Sequence, residues 1–349
     1  MTPISIAALK EQAGETPLLA AVFAQLQTRA VKQTKNGKPY LELAFADSTG
    51  GFSVKVWSDA PVYQDAEALA PNAVVRLEAR WTQNTYGIDA KDLALHHADE
   101  AAREAFFAGD PDLRERQDRD FAEIRRLCDS IVDPRLHDLC QLFFENMGDR
   151  FRRTAAARRN HHARRGGLVE HVAMMMRSAD ALCGVYQELN RDLLLTGTLF
   201  HDVGKLWENS YPENGFAQKF TLYGEMLGHI PLGIELVNSL WHEMMETASA
   251  GDWGNIQPAS EQVRLHLLHL IGSHHGELQF GSPVLPRTPE AFALHHIDNL
   301  DAKLEMVRAA YTTASELAPG IFDRTFPLPA NLVKPLARFE PGSSAAAEQ

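Results

Sequence analysis

Cysteine is scarce in this chain: Cys128, Cys140 and Cys183 are the only three among 349 residues, an odd number that forms no CxxC pair. That argues against a disulfide framework or a zinc ribbon, and reduced thiols in a cytoplasm are the expected state. Long apolar runs are missing too. Nothing approaches the roughly 20 residues that cross a bilayer, so no membrane partner is expected. The opening residues Met1-Thr2-Pro3-Ile4-Ser5-Ile6 lack the basic segment and apolar core of a secretory leader. Positive charge is not in surplus either. There are 34 Lys and Arg against 46 Asp and Glu, a net charge of −12, which argues against a surface coated with base for nucleic acid. What is present is a globular mix, 45% apolar and 23% charged, in a chain long enough for two domains that each have a core.

From about Leu18 to His97 short alternating segments predict sheet. Val22–Val31, Tyr40–Ala46, Phe52–Trp57, Val74–Trp81 and Ile88–Leu95 read as five strands, with Lys35-Asn36-Gly37-Lys38 as a hairpin turn. A helix is expected over Asp59–Leu69, between the third and fourth strands. Five strands with a helix in that place suggest an all-β OB-fold barrel in residues 1–100. Tyr40, Phe45, Phe52, Trp57, Trp81 and Tyr86 lie on or beside the strands where such a barrel stacks bases. Strand alternation turns one parity inward, so a minority of the six is expected outside. Tyr40 and Trp57, with Lys55, are the candidate contacts.

Residues 101–160 read as a charged, helical connector, with a helix break and restart at Asp133-Pro134. An all-α bundle is expected over 161–328, with helices at Leu168–Leu189, Asp192–Lys205, Tyr223–Met245, Ser260–Ser273 and Pro289–Leu317 and no strand. Residues 329–349 read as a tail, with Ser343–Gln349 disordered.

The run Leu199-Phe200-His201-Asp202-Val203-Gly204-Lys205 places an imidazole beside a carboxylate in an apolar stretch. Burying that pair without compensation is costly. A metal ion is the natural compensation, since neutral imidazole and carboxylate both ligate and an Asp has two oxygens with which to bridge two cations. Further candidates are His171, His229, His274 or His275, and Asp298, with Asp301 one turn later as a competing carboxylate. They fall in separate helical segments, as expected when several helices converge on one centre. Six or seven ligands exceed the needs of one tetrahedral zinc, so two divalent cations are expected. Asp202 would bridge them, with a water between them as nucleophile. Lys205, one turn after His201, would meet phosphate charge or assist protonation. Imidazole and carboxylate accept Mn2+, Co2+, Fe2+ or Mg2+.

Just before His171 the stretch FRRTAAARRNHHARR, residues 151–165, holds six arginines and no acid. Arg158, Arg159, Arg164 and Arg165, with His161 and His162, are candidate contacts to substrate phosphate; the competing reading is a solvated helix face.

His171, His201-Asp202 and Asp298 resemble the H...HD...D pattern of the HD-domain metal-dependent phosphohydrolases, and His229 and His274 look like the extra ligands of the two-metal members. An OB-like front followed by NHHARRGGLVEH, LFHDVGK, GHIPLG, SHHGELQFGSP and HHIDNLDAKL, in that order, is similar to the YhaM-type 3'-5' exoribonucleases of bacteria. The similarity runs from about Leu18 to about Leu328. The resemblance implies an OB fold joined to an HD hydrolase that uses manganese or cobalt and releases nucleoside 5'-monophosphates from a single-stranded 3' end. It assigns His171, His201, Asp202 and Asp298 to one metal and Asp202, His229 and His274 to the other, with His275 replacing or supplementing His274. Asp298 is favoured over Asp301, which then supports a ligand. Single-stranded RNA is the implied partner, single-stranded DNA and a homo-oligomer staying open. The competing functions are an HD hydrolase of small or cyclic nucleotides and a non-catalytic single-strand-binding protein.

Overall fold

The computed structural model describes the chain except residues 35, 85, 86, 159–161, 217, 219, 247–252, 254 and 338–349. The hairpin residue Lys35, Tyr86, and the Ser343–Gln349 tail expected to be disordered therefore lie outside the described residues.

The N-terminal part is built from β1 (Pro3–Ile4), α1 (Ile6–Gln12), β2 (Leu18–Gln33), β3 (Pro39–Asp47), β4 (Gly50–Trp57), α2 (Tyr63–Ala68), β5 (Val74–Asn84) and β6 (Gly87–His97). Strand order is β4-β3-β2-β5-β6, with β1 parallel on β2. One long strand serves both halves: Leu18–Gln25 pairs with β5, and from Gln25 onward β2 pairs with β3 after an irregularity between Leu26 and Thr28. The edges β4 and β6 pack against each other. A shared long strand, near-closure of the edges and a helix between β4 and β5 are the OB arrangement. The long strand outruns the expected Val22–Val31 at both ends, by Leu18–Ala21 and by the exposed Lys32–Gln33.

Alternation sorts the aromatics. Phe45, Phe52 and Trp81 are buried, and the Trp81 indole donates to the Ala20 carbonyl at 2.9 Å. Tyr40 and Trp57 face outward. The short α1, not evident in the sequence, adds Ile6 and Leu9 to this core. Ser5 caps it, its hydroxyl accepting from the Ala8 amide.

The helical part contains α3 (Glu100–Ala108), α4 (Pro111–Asp129), α5 (Pro134–Arg152), α6 (Gly167–Val185), α7 (Arg191–Phe200), α8 (Lys205–Glu208), α9 (Leu222–Leu227), α10 (His229–Met245), α11 (Ser260–Ser273) and α12 (Pro289–Thr313). Asp110 and Asp133 cap α4 and α5, each followed by a Pro at the first helical position. The segment read as a connector shares the main core: Ile124, Leu127, Leu139, Phe143 and Phe151 pack with Val172, Leu199 and Leu270. The helix expected over Asp192–Lys205 divides. Here α7 ends at Phe200, and a tight turn separates it from α8.

The expectation of no strand over 161–328 is corrected at the end of that span, and a further strand lies in the tail. After α12 stops at Thr313, β7 (Glu316–Ala318), β8 (Ile321–Phe322) and β9 (Leu332–Val333) form a small antiparallel sheet. Strands of two or three residues are too short to show a period of two, and Gly320, at φ +74°, makes the turn between the first pair. Among the described residues no helix is long and apolar enough to cross a membrane.

Candidate metal centre

Five segments bring the ligand candidates together. His171 sits in the first turns of α6, His201 and Asp202 in the turn after α7, His229 at the start of α10, His274 and His275 at the end of α11, and Asp298 in the middle of α12. Gly204 allows the closest of these approaches: a Cβ there would stand 1.8 Å from the His229 carbonyl oxygen. The glycine of the HDVGK run therefore lets α10 begin against the His-Asp turn.

Asp202, 1% exposed, is at the middle. Its Oδ2 lies 3.3 Å from His201 Nε2 and 3.7 Å from His171 Nε2, while its Oδ1 lies 3.6 Å from His229 Nε2 and 3.7 Å from His274 Nε2. Asp298 Oδ1 adds a carboxylate 3.4 Å from His171 Nε2. The two oxygens of one carboxylate thus face two different sets of imidazoles. His229, His274 and His275 each place a ring nitrogen within 4.8 Å of the others, and His171, His201 and Asp202 make a second such group.

Hydrogen bonding behind the rings fixes which nitrogen faces inward. His201 Nδ1 donates to the Thr198 carbonyl at 2.8 Å, His274 Nδ1 to the Ile271 carbonyl at 2.8 Å and His275 Nδ1 to the Phe280 carbonyl at 2.7 Å. His171 Nδ1 donates to Asp301 Oδ2 at 2.7 Å. A carbonyl or carboxylate only accepts, so each Nδ1 carries a proton and each Nε2 turns to the centre, where the neutral ring offers its lone pair; at His171 that requires loss of a proton which Asp298 and Asp301 favour. His201 Nε2, His229 Nε2, His274 Nε2 and Asp202 Oδ1 are buried with no hydrogen-bond partner among the described residues. Orphaned acceptors converging on one volume are what a divalent cation would satisfy. The donor set fits such ions.

The electrostatics agree. Burial pushes the Asp202 carboxyl up, but Lys205 and the imidazoles of His201 and His229 outweigh it and hold the group well below the usual carboxylate range. Burial, with His201 beside it, drives His274 well below the ordinary imidazole value. A neutral imidazole and an ionised carboxylate are the protonation states that bind metal. Lys205 Nζ donates to Asp202 Oδ2, placing an ammonium at the edge of the centre.

Sequence reasoning missed one supporting residue. Glu208, at the end of α8, backs His229, and it lies outside the motif positions, with only its spacing after Lys205 as a signal. Asp301 Oδ2 accepts from both His171 Nδ1 and His162 Nε2.

Arg158, Arg164 and Arg165 of the arginine segment each have partners within the protein. Arg164 is ion-paired with Glu170 and Glu305. Arg165 donates to the carbonyls of Pro212, Glu213 and Gly215. Arg158 donates to the Glu208 carbonyl, its guanidinium 3.9 Å above the Phe220 ring. Arg159 and His161 lie outside the described residues. Arg158, Arg164 and Arg165 line a cleft of about 590 Å³ that also takes in the β3–β4 turn, Asp47 to Gly51, of the barrel.

On the barrel itself Tyr40 and Trp57 are directly paired across β3 and β4. Their ring centroids are 5.1 Å apart, Trp57 is 41% exposed, and Lys55 Nζ lies 5.9 Å from the Tyr40 ring centre.

The fold and site define a class first. The HD domain family matches residues 168–303, a span that holds every ligand candidate from His171 to Asp298. Two relatives then specify the family. The 3'-5' exoribonuclease YhaM of Geobacillus sp. (strain WCH70) is 31% identical over 295 residues, covering 82% of each chain. The 3'-5' exoribonuclease YhaM of Oceanobacillus iheyensis is 31% identical over 294 residues, 83% of this chain and 84% of that one. This chain belongs to the YhaM-type 3'-5' exoribonuclease family. The second OB-fold domain of replication protein A from Methanococcus maripaludis is also similar, at 14% identity and a TM-score of 0.20 over 27% of this chain and 94% of that one. The barrel assignment rests on strand order, not on that likeness.

Proposed function

We propose that the chain is a metal-dependent 3'-5' exoribonuclease that removes nucleoside 5'-monophosphates from single-stranded RNA, with single-stranded DNA as an alternative polymer. The observation that carries this reading is the division of Asp202, one oxygen toward His171 and His201 and the other toward His229 and His274. Two cations would be held by these residues, with Asp298 completing the first set and His275 the second. The family resemblance makes Mn2+ the first choice; imidazole and carboxylate also accept Co2+, Fe2+ or Mg2+. When bound, such ions polarise the phosphoryl group and activate water.

The chain's own residues supply the rest. Asp202 keeps the two sets in register, and the carbonyls behind His201, His274 and His275 hold their rings in one tautomer. Lys205 is within reach of charge building on a phosphate at the centre. Attack of a water oxygen on the phosphorus between the last two nucleotides would form the new P–O bond of the released 5'-monophosphate and break the bond to the penultimate O3', which takes up the proton the water gives up and becomes the 3'-hydroxyl of the shortened chain. Tyr40, Trp57 and Lys55 on the barrel would hold upstream bases and backbone by stacking and charge. That pair, exposed Trp57 beside half-buried Tyr40, favours a polymer over a small or cyclic nucleotide, which needs no second domain to bind it. The three free cysteines, two of them buried, accord with a cytoplasmic setting.

The test is incubation of purified protein and Mn2+ with a 5'-end-labelled oligoribonucleotide. A descending ladder with released 5'-monophosphates supports the reading. Cleavage of mononucleotides alone would sink it in favour of a small-nucleotide hydrolase, and binding without cleavage would make the chain a single-strand-binding protein.

A further inference from the structure

We propose that His162 is a positioning residue of the metal centre, holding Asp301 against His171 and so fixing the direction of the first ligand. The proposal deepens the reading of the metal site given above and rests on it.

His162 is 4% exposed and reaches its place at a backbone φ of +44°, a conformation that a side-chain-bearing residue keeps only where its surroundings hold it. Two features hold it. The Ala156 amide donates to its carbonyl at 3.3 Å. Gly167 leaves room for that same carbonyl: a Cβ at 167 would stand 2.0 Å from the His162 oxygen.

From there His162 Nε2 donates to Asp301 Oδ2 at 3.0 Å, the same oxygen that accepts from His171 Nδ1 at 2.7 Å. One carboxylate oxygen is pinned between two imidazoles. Without the first, Asp301 is free to rotate about its own side chain, and the proton on His171 Nδ1 loses its fixed acceptor. The Nε2 lone pair that faces Asp202 and Asp298 would then lose its aim.

The far side of His162 is closed by acids. Its Nδ1 lies 3.8 Å from Glu170 Oε2 and 4.0 Å from Glu305 Oε1, and both carboxylates are ion-paired to Arg164. The His162 and Arg164 of the basic stretch therefore form the back wall of the metal centre and act on substrate through His171.

The experiment compares wild type with His162→Ala, His162→Gln and His162→Asn. The Gln amide can take the place of Nε2 and still reach Asp301; the shorter Asn cannot. Two quantities are read: Mn2+ retained per chain across a series of free-metal concentrations, and kcat and KM on an oligoribonucleotide. The Ala and Asn variants are expected to need about 10- to 100-fold more Mn2+ for half-loading, the range typical of removing a group that orients a ligand. Their kcat falls, KM for RNA stays within about twofold, and Gln recovers most of the loss. Should His162→Ala fail to fold, the contrast between Gln and Asn decides. Unchanged metal loading with a raised KM would overturn the proposal and make His162 a substrate contact, and equal behaviour of Gln and Asn would overturn it too. Metal loading is measured without substrate, so wild type that loads metal but does not cut RNA defeats the nuclease reading and leaves this one standing.

Discussion

Glu208 Oε2 stands 3.4 Å from His229 Nδ1, which gives the second set of ligands a carboxylate behind one ring, as Asp301 does for His171 in the first. A carboxylate in that place orients the imidazole and raises its basicity. Replacing Glu208 with Ala is expected to weaken loading of the second cation about tenfold or more while sparing the first. Counting Mn2+ per chain after equilibrium dialysis checks this. Loss of both ions together, or of neither, contradicts it.

Two glycines should behave oppositely. Gly204→Ala drives a Cβ into the His229 carbonyl, which is backbone and cannot swing aside. Overpacking of this kind costs about 1–3 kcal/mol or more, and here it displaces a ligand as well. A lowered Tm and poor metal loading are expected. Gly184, in α6, has nothing within 4 Å of its would-be Cβ. Gly184→Ala should be neutral or stabilising by up to about 1 kcal/mol. Equal Tm shifts in the two variants would refute the close-approach argument.

On the barrel, Tyr40→Ala and Trp57→Ala remove a stacking platform outside the core. Base stacking on an aromatic ring is worth about 1–3 kcal/mol per base, so KM for an oligoribonucleotide should rise about tenfold or more. Hydrolysis of a small diester such as bis(p-nitrophenyl) phosphate should not change. Equal loss on both substrates would place the pair outside RNA binding. Phe45→Ala, by contrast, empties a core position and should lower Tm by creating a cavity.

The pH dependence of the metal-free protein follows from two groups. At His171 burial opposes the charged form, but the hydrogen bonds to Asp298 and Asp301 and the charges of Asp298 and Asp202 win and raise it from 6.5 to about 9. Its contribution to stability is full below 6.5 and is lost as pH rises through 9. Glu170 runs the other way. Burial pushes it up, yet His162, Arg164 and Gln117 bring it down from 4.5 to about 2, so its contribution is present above 4.5 and lost as pH falls through 2. Metal-free Tm should therefore fall between pH 6.5 and 9, while Mn2+ in place of the His171 proton flattens that limb. A metal-free Tm that rises across this interval contradicts the assignment.

Much of this was legible in the residues. The barrel showed because β3 and β4 alternate cleanly, and the centre showed because histidines and aspartates are conspicuous in apolar helices. What stayed hidden depends on distance in space. Glu208 is an ordinary surface-type acid until folding sets it beside His229. The partners of Arg164 and Arg165, the carboxylates of Glu170 and Glu305 and the carbonyls of Pro212, Glu213 and Gly215, lie 6 to 141 residues away, so the stretch read as basic without visible partners. The close approach of Gly204 to His229, beside the turn that divides α7 from α8, is a long-range contact that the residues alone do not show.

Asp202→Ala is the most direct test of the centre. Wild type and variant are compared on a 5'-end-labelled oligoribonucleotide across Mn2+, Co2+, Fe2+ and Mg2+, with Tm and bound metal measured on the same preparations. The expected result is a folded variant that loads less metal and loses RNA shortening by at least three orders of magnitude with every cation, since each ligand set loses the carboxylate that joins it to the other. Full activity in the Asp202→Ala protein would contradict the shared-carboxylate mechanism outright.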